Sequence, residues 1–287
     1  MADLLTSLQR VLQDEREVFG DFLVLEQRPA APVKTPVPKT PSPSAVPSPS
    51  AAPSPAAPPV NESPSVLFQS EDSPTLAKRR TPSTEPVNEA WGGAPSLPEL
   101  DAQINTCLKC PLGKTRTKFV FGVGNPHARL MFVGEAPGAD EDAQGEPFVG
   151  RAGQLLNKIL VAMQMKREEV YIANILKCRP PNNRTPIPEE VDACMPYLRK
   201  QIALVKPQII VCLGLTAAQN LLGISDSLGK LRGRLLTFEN TPLMVTYHPA
   251  ALLRNPNWKP AAWEDFQAVQ KFLAEHAGDV KEGSPVG

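Results

Sequence analysis

Four apolar runs alternate with segments of helical periodicity in the C-terminal two thirds of the chain. The runs are five to seven residues long, which is typical of strands buried on both faces, and they lie at 129–134, 170–175, 208–214 and 243–247. Between and after them, apolar side chains recur every three or four positions, which predicts helices at 154–163, 189–205, 216–222 and 262–276. Parallel strands need crossover connections, so this alternation predicts a three-layer α/β/α domain with a four-stranded parallel sheet.

The N-terminal third has a different pattern. Residues 4–25 repeat apolar side chains at helical spacing without a proline, which predicts an amphipathic helix within residues 1–28 that either folds back on the domain or docks a protein partner. Of the 33 prolines, 18 lie between Pro29 and Pro98. Such a composition cannot bury enough apolar surface to offset chain entropy, so we expect a disordered tether at 29–90. The folded domain then spans 91–276, and 277–287 form a flexible tail.

Charge and hydropathy narrow the classes of function. The chain of 287 residues is formally neutral, but Lys and Arg exceed Asp and Glu by four within residues 91–276, which is compatible with a polyanionic partner. No apolar stretch approaches the roughly 20 residues needed to span a bilayer, and the N-terminus lacks the features of a secretory signal. We therefore expect a cytoplasmic protein without membrane association, and no feature requires more than a monomer.

The five cysteines favour metal or redox chemistry over disulfides in a reducing compartment. Cys212 lies inside the third apolar run, so we interpret it as a core residue. The other four form a Cys-x2-Cys pair followed by two single cysteines, at Cys107, Cys110, Cys178 and Cys194. Four thiolates can close a tetrahedral zinc site or hold a cubane iron-sulfur cluster, and their spacing alone does not distinguish the two.

Polar side chains follow three of the four predicted strands. Glu135 comes after the first strand, Asn174 lies near the end of the second, and His248 follows the fourth. Ligands of parallel α/β sheets bind at the carboxyl ends of the strands, so the three can converge. Taken singly, each has a structural explanation. Glu135 can cap a turn, Asn174 can fix the end of a strand by hydrogen bonds, and His248 can be a buried, hydrogen-bonded imidazole. Jointly, an acid, an amide and an imidazole can bind an amide-bearing ring and activate water.

Five longer motifs contain these residues. They are CLKC at 107–110, GEAPG at 134–138 followed by ADED, PFVGRAG at 147–153, NILKCRPPNNR at 174–184 and HPAALLRNP at 248–256. Together they resemble the type-4 uracil-DNA glycosylases of bacteria and archaea, over residues 97–272 but not over residues 1–90. The resemblance implies the glycosylase fold and a hydrolase that flips uracil out of DNA and cuts its N-glycosidic bond. It also implies a 4Fe-4S cluster on Cys107, Cys110, Cys178 and Cys194.

The resemblance also implies roles for the residues around the base. Asn174 pairs with the uracil edge and Phe148 stacks on the flipped ring. Glu135 lies by the hydrolytic water, and His248 reaches O2 of the base. Ala136 supplies a small side chain next to the ligand.

Further residues are expected at the rim of the site. Glu141 is a candidate second acid in the pocket. Leu252, Leu253 and Arg254 belong to a loop that we expect to enter the DNA minor groove, where an apolar wedge fills the gap left by the base. Residues 177–184 contain no histidine, unlike the related branch that captures DNA covalently, so covalent capture is not expected.

Two other functions compete with this hypothesis. One is a non-catalytic iron-sulfur protein that binds nucleic acid or transfers electrons, although such a protein does not require Glu135, Asn174 and His248 at strand ends. The other is a glycosylase-like subunit that acts mainly in recruitment through its N-terminal tether.

Overall fold

The computed structural model describes Val18 and residues 89–278. The rest of the predicted N-terminal helix, residues 29–88 of the expected tether and residues 279–287 of the tail lie outside the described residues. Val18 itself is helical, and its side chain is buried in a hydrophobic cluster of the domain.

A mixed sheet forms the centre of the domain. Its four central strands coincide with the four apolar runs and are parallel: β2 (Leu130–Gly134), β3 (Tyr171–Asn174), β4 (Ile209–Leu213) and β6 (Thr241–Thr246). Two short antiparallel strands, β1 (Val123–Gly124) and β5 (Leu236–Phe238), flank them. The order is β1-β3-β2-β4-β6-β5, so the expectation of a four-stranded, all-parallel sheet is wrong at both edges. Strands of two and three partly exposed residues are too short to produce an apolar run.

Helices cover the sheet. The described α-helices are α1 (Leu97–Ile104), α2 (Ala139–Gln144), α3 (Arg151–Ala162), α4 (Pro188–Val205), α5 (Leu215–Leu222), α6 (Leu228–Leu231), α7 (Pro249–Arg254) and α8 (Lys259–Glu275). Short 3-10 turns lie at Ala90–Gly93, Pro111–Lys114, Arg167–Glu169, Pro181–Asn183 and Pro256–Trp258. Helix α4 begins with a proline and carries Glu189 and Glu190 in its first turn, where the helix dipole favours acids. Within the described part of the chain, no helix is long and apolar enough to cross a membrane.

Alternate residues of the central strands pack into two hydrophobic clusters. In β2, Leu130 and Phe132 belong to the cluster that contains the apolar residues of α3 and α8, whereas Met131 and Val133 belong to the cluster of α4 and α5. Helices therefore lie on both faces of the sheet, which is the three-layer arrangement that the sequence predicts. Cys212 is fully buried in the second cluster, as expected for a core residue.

Candidate active site and cysteine cluster

The carboxyl ends of β2, β3 and β6 open into a cavity of about 540 Å³. Glu135, Asn174 and His248 all line it, so the three polar residues predicted at strand ends do converge. Glu135 and Asn174 are neighbours because β2 and β3 pair in parallel with Gly134 opposite Asn174. Four further predicted site residues line the same cavity, namely Ala136, Glu141, Phe148 and Arg254.

The amide of Asn174 lies deep in the cavity. Its side chain is 2% exposed, and its Oδ1 has no hydrogen-bond partner among the described residues. Gly134 makes room for this amide, since a Cβ at that position would lie 2.3 Å from Oδ1 of Asn174 and 2.7 Å from Cζ of Phe148. An unsatisfied buried acceptor costs about 1–3 kcal/mol, and at a cavity wall it offers a binding position for the N–H group of a ligand.

Phe148 supplies an aromatic face to the cavity. The side chain is buried, and its ring centroid lies 5.5 Å from that of His248 with the planes 30° apart. Its φ of 55° is unusual for a bulky residue and costs about 1–3 kcal/mol, which the surrounding contacts must offset. Gly153 allows this conformation, because a Cβ there would lie 1.8 Å from the carbonyl oxygen of Phe148. The neighbouring Pro147 carbonyl accepts a hydrogen bond from Nη2 of Arg167 at 2.5 Å.

His248 presents a neutral imidazole. The backbone N–H of Ala250 donates to Nδ1 of His248 at 3.1 Å, so the ring proton of the neutral form lies on Nε2. Burial and, to a smaller extent, the positive charge of Arg254 lower the pKa of His248 to about 4, although the negative charge of Glu141 opposes the shift. At neutral pH the residue is therefore an uncharged N–H donor at the cavity wall.

Glu141 acts on the backbone of the cavity walls. Its Oε2 accepts from the N–H of Gly138 at 3.1 Å, and its Oε1 accepts from the N–H groups of Val149 and Gly150, both at 3.0 Å. These bonds connect the loop after β2 to the loop that carries Phe148. Sequence reasoning identified the acid as a cavity residue but missed that both oxygens bind the protein's own backbone. Glu141 therefore holds the two loops that form the cavity wall in position.

The predicted DNA-contacting loop is only partly accessible. Leu252 is fully buried in the hydrophobic core and is not accessible to DNA in this structure, so its contact with DNA stays a prediction without structural support. Helix α7 turns one face towards the core, and Leu252 lies on that face. Leu253 is 38% exposed, and the exposed Arg254 reaches the cavity.

The four predicted ligand cysteines pack into one region. Cys178 and Cys194 are buried in the cluster of α4, Cys107 and Cys110 pack against it, and all four are free thiols. Hydrogen-bond donors face three of the sulfurs. Oη of Tyr197 donates to Cys107 at 3.2 Å, Nη1 of Arg116 donates to Cys178 at 3.3 Å, and the backbone N–H of Lys177 donates to Cys194 at 3.3 Å.

The surroundings of these thiols bear on whether the four can hold a metal cluster. Among residues 89–278 and Val18, no three His, Cys, Asp or Glu side chains stand close enough to hold a metal ion. The donor set nevertheless fits an iron-sulfur cluster, whose thiolates receive hydrogen bonds of this kind. Burial raises the pKa of Cys194 to about 12 and that of Cys178 above its ordinary value. Without a bound cation, both thiols are therefore protonated at neutral pH.

A buried lysine lies between the cysteines and the cavity. Lys177 is fully buried, and its Nζ donates to the carbonyl of Asn174 at 2.9 Å and to Oε1 of Gln201 at 2.6 Å. Nε2 of Gln201 donates in turn to the carbonyl of Phe121 at 2.9 Å and to Oη of Tyr171 at 3.1 Å. This network holds the end of β3, and the helical periodicity of α4 carries no signal that identifies Gln201 as its partner.

The fold and the cavity define an α/β protein with a cavity at the ends of its parallel strands, into which a few polar side chains are placed. The family model described as "Uracil DNA glycosylase superfamily" matches residues 121–267, and the chain belongs to this superfamily.

Individual relatives within this superfamily show which type of glycosylase the chain is similar to. The chain is similar to a type-4 uracil-DNA glycosylase of Archaeoglobus fulgidus, with 45% identity over 188 residues that cover 63% of this chain and 94% of the relative. A type-4 uracil-DNA glycosylase of Pyrobaculum aerophilum is 46% identical over 179 residues, which cover 60% and 89% of the two chains. A type-5 uracil-DNA glycosylase of the same organism is 31% identical over 173 residues, which cover 54% and 75%. The resemblance found in the motifs is confirmed.

Proposed function

We propose that this protein is a uracil-DNA glycosylase that binds uracil flipped out of DNA and hydrolyses its N-glycosidic bond, leaving an abasic site for base excision repair. The observation that carries the proposal is the buried Asn174, which lines the same cavity as Glu135 and His248 and whose Oδ1 lacks a partner among the described residues. The type-4 relatives support it independently. A base inside a duplex cannot reach such a cavity, so the enzyme must extrude it.

The amide of Asn174 selects the base. Its oxygen accepts from N3–H of uracil, and its NH2 group donates to O4. Cytosine presents an acceptor and a donor at these two positions, so its entry leaves buried groups of both partners unpaired. Phe148 stacks on the ring, and Ala136 leaves space beside it.

The remaining polar groups stabilise the developing charges. Bond cleavage leaves negative charge on uracil and positive charge on the sugar. The Nε2–H of neutral His248 donates to O2 of the departing base, which stabilises the anion without proton transfer from an imidazolium. Glu135 orients the water that attacks the sugar carbon, and its negative charge favours the cationic sugar.

The four predicted ligand cysteines, Cys107, Cys110, Cys178 and Cys194, would hold a 4Fe-4S cluster. When bound, this group supplies a cross-link between the chain before the sheet and the segment that leaves β3. The donors on three of the sulfurs support the assignment.

Leu253 and Arg254 are the accessible residues of the loop proposed to enter the minor groove. A monomeric state, a cytoplasmic location and a protein partner for the N-terminal helix stay predictions.

A strand-cleavage assay separates this function from its alternatives. Single-turnover reactions use a labelled duplex with one uracil, followed by alkali, which breaks the strand only at abasic sites. A duplex with cytosine at the same position is the control. We expect cleavage of the uracil strand alone. Binding of either duplex without any alkali-labile site would favour the non-catalytic iron-sulfur protein instead.

A further inference from the structure

A stacked aromatic pair lies at the rim of the cavity and has no role in the proposed chemistry. Tyr247 follows β6 and Trp258 ends a 3-10 turn, and their ring centroids lie 5.0 Å apart with the planes 17° from parallel. Trp258 remains 41% exposed although it is a large apolar side chain. Both rings line the cavity together with His248 and Arg254. An aromatic surface is therefore held open next to the proposed uracil site.

Buried contacts fix the inner ring of this pair. The guanidinium carbon of Arg232 lies 5.3 Å from the ring centroid of Tyr247. Arg232 is itself anchored, because its Nε and Nη2 both donate to the buried carboxylate of Asp265 at 3.2 Å. Asp265 also accepts a hydrogen bond of 2.7 Å from Oγ1 of Thr246, the last residue of β6. The Tyr247 ring is thus connected to the sheet, and it supports Trp258 in one orientation.

We propose that Trp258, stacked on Tyr247, is a binding platform for an unpaired nucleobase next to the flipped uracil. The inference rests on the proposed function, since only a nucleic-acid strand that delivers uracil to the cavity brings a neighbouring base to its rim. Every base has a planar π face, so a rigid exposed indole binds any of them by stacking. The exposed Arg254, which lines the same cavity, suits a phosphate of the same strand.

Platform and simple packing make different predictions. If Trp258 only covers Tyr247, its removal weakens folding and is insensitive to the bases of the ligand. If it is a platform, its removal weakens binding, and the loss depends on the presence of one particular neighbouring base.

The test measures the affinity of the full chain for a single-stranded oligonucleotide by fluorescence anisotropy. The strand contains one 2′-fluoro-deoxyuridine, which resists hydrolysis, and is made intact or without the base immediately 5′ or immediately 3′ of it. Trp258→Ala removes the platform, and Trp258→Phe retains a smaller ring in case the alanine variant does not fold. Val161→Ala is the matched control, because Val161 is another exposed apolar residue, 52% exposed on α3, that does not line the cavity.

We expect Trp258→Ala to raise Kd for the intact strand by about fivefold or more, the effect of losing one stacked base. Trp258→Phe should fall between wild type and Trp258→Ala, and Val161→Ala should bind as wild type. Removing one of the two neighbouring bases should weaken wild type but not Trp258→Ala. If removing either base weakened the affinity of wild type and of both Trp258 variants by the same factor, the platform would be refuted.

A thymine-containing strand of otherwise identical sequence keeps the two proposals apart. Wild type that binds the uracil analogue no better than thymine contradicts the proposed glycosylase site. Wild type that prefers the uracil strand but shows no dependence on Trp258 or on a neighbouring base contradicts the platform alone. The failure of the platform is thus distinguished from the failure of the proposed function on which it rests.

Discussion

Replacing Asn174 with aspartate keeps the acceptor oxygen of this buried cavity residue and exchanges its NH2 donor for a second acceptor. The introduced carboxylate still accepts from N3–H of uracil, but it sets an acceptor against O4, which also accepts. The side chain at this position is 2% exposed, so water cannot replace the lost bond. A bidentate contact to a base is worth about 1–3 kcal/mol, which corresponds to a loss of about 5- to 150-fold in rate.

Charge adds to this loss. The departing uracil becomes anionic, and a full negative charge about 4 Å away opposes it by about 4 kcal/mol at an effective dielectric constant of about 20. Burial raises the pKa of such a carboxyl, so part of the population becomes protonated as the pH falls. The protonated form can donate to O4. We therefore expect excision by Asn174→Asp to be at least tenfold slower at pH 8 and the deficit to shrink towards pH 5.

The assay is single-turnover excision from a uracil-containing duplex, beside binding to an undamaged duplex at fixed salt. Affinity for the undamaged duplex should hardly change, because phosphate contacts supply most non-specific binding. Asn183→Asp is the matched control. Asn183 also lines the cavity, but its side chain is exposed and accepts from Nε of Arg179 at 2.8 Å. Parental excision by Asn174→Asp would exclude this amide from base recognition, and equal losses in both variants would show that only added charge matters.

Three further outcomes are expected. Gly134→Ala should slow excision at least tenfold with intact secondary structure by circular dichroism, because the new methyl group would lie 2.3 Å from Oδ1 of Asn174, and overpacking of this kind costs about 1–3 kcal/mol. The pKa of His248 is about 4 in the folded state, below its unfolded value of about 6.5. The neutral imidazole therefore makes its full contribution to the free energy of unfolding above about pH 6.5, and about 3 kcal/mol of that free energy is lost as the pH falls to about 4. Urea unfolding at pH 7 and pH 4 should show a smaller difference in His248→Gln than in wild type. Cys178→Ala should lose bound iron and visible absorbance, whereas Cys212→Ala should retain both; equal iron content in the two variants would contradict the cluster assignment.

Local pattern alone determined the centre of the fold. The strands β2, β3, β4 and β6 are buried on both faces, so each leaves an apolar run that needs no knowledge of its neighbours. The convergence of Glu135, Asn174 and His248 followed from the same runs, because the carboxyl ends of parallel strands meet at one edge of a sheet.

Tertiary contacts decided what the pattern could not. Strands β1 and β5 form because a neighbouring strand offers backbone partners to two or three residues. Leu252 and Leu253 are adjacent leucines that the sequence does not distinguish. Only the packing of α7 buries the first and exposes the second. The hydrogen bonds from the N–H groups of Val149 and Gly150 to Glu141, and the stacking of Trp258 on Tyr247, likewise depend on segments brought together by folding. Residue type and spacing along the chain carry the hydrophobic period and strand ends, whereas the partner of a polar or aromatic side chain depends on three-dimensional proximity.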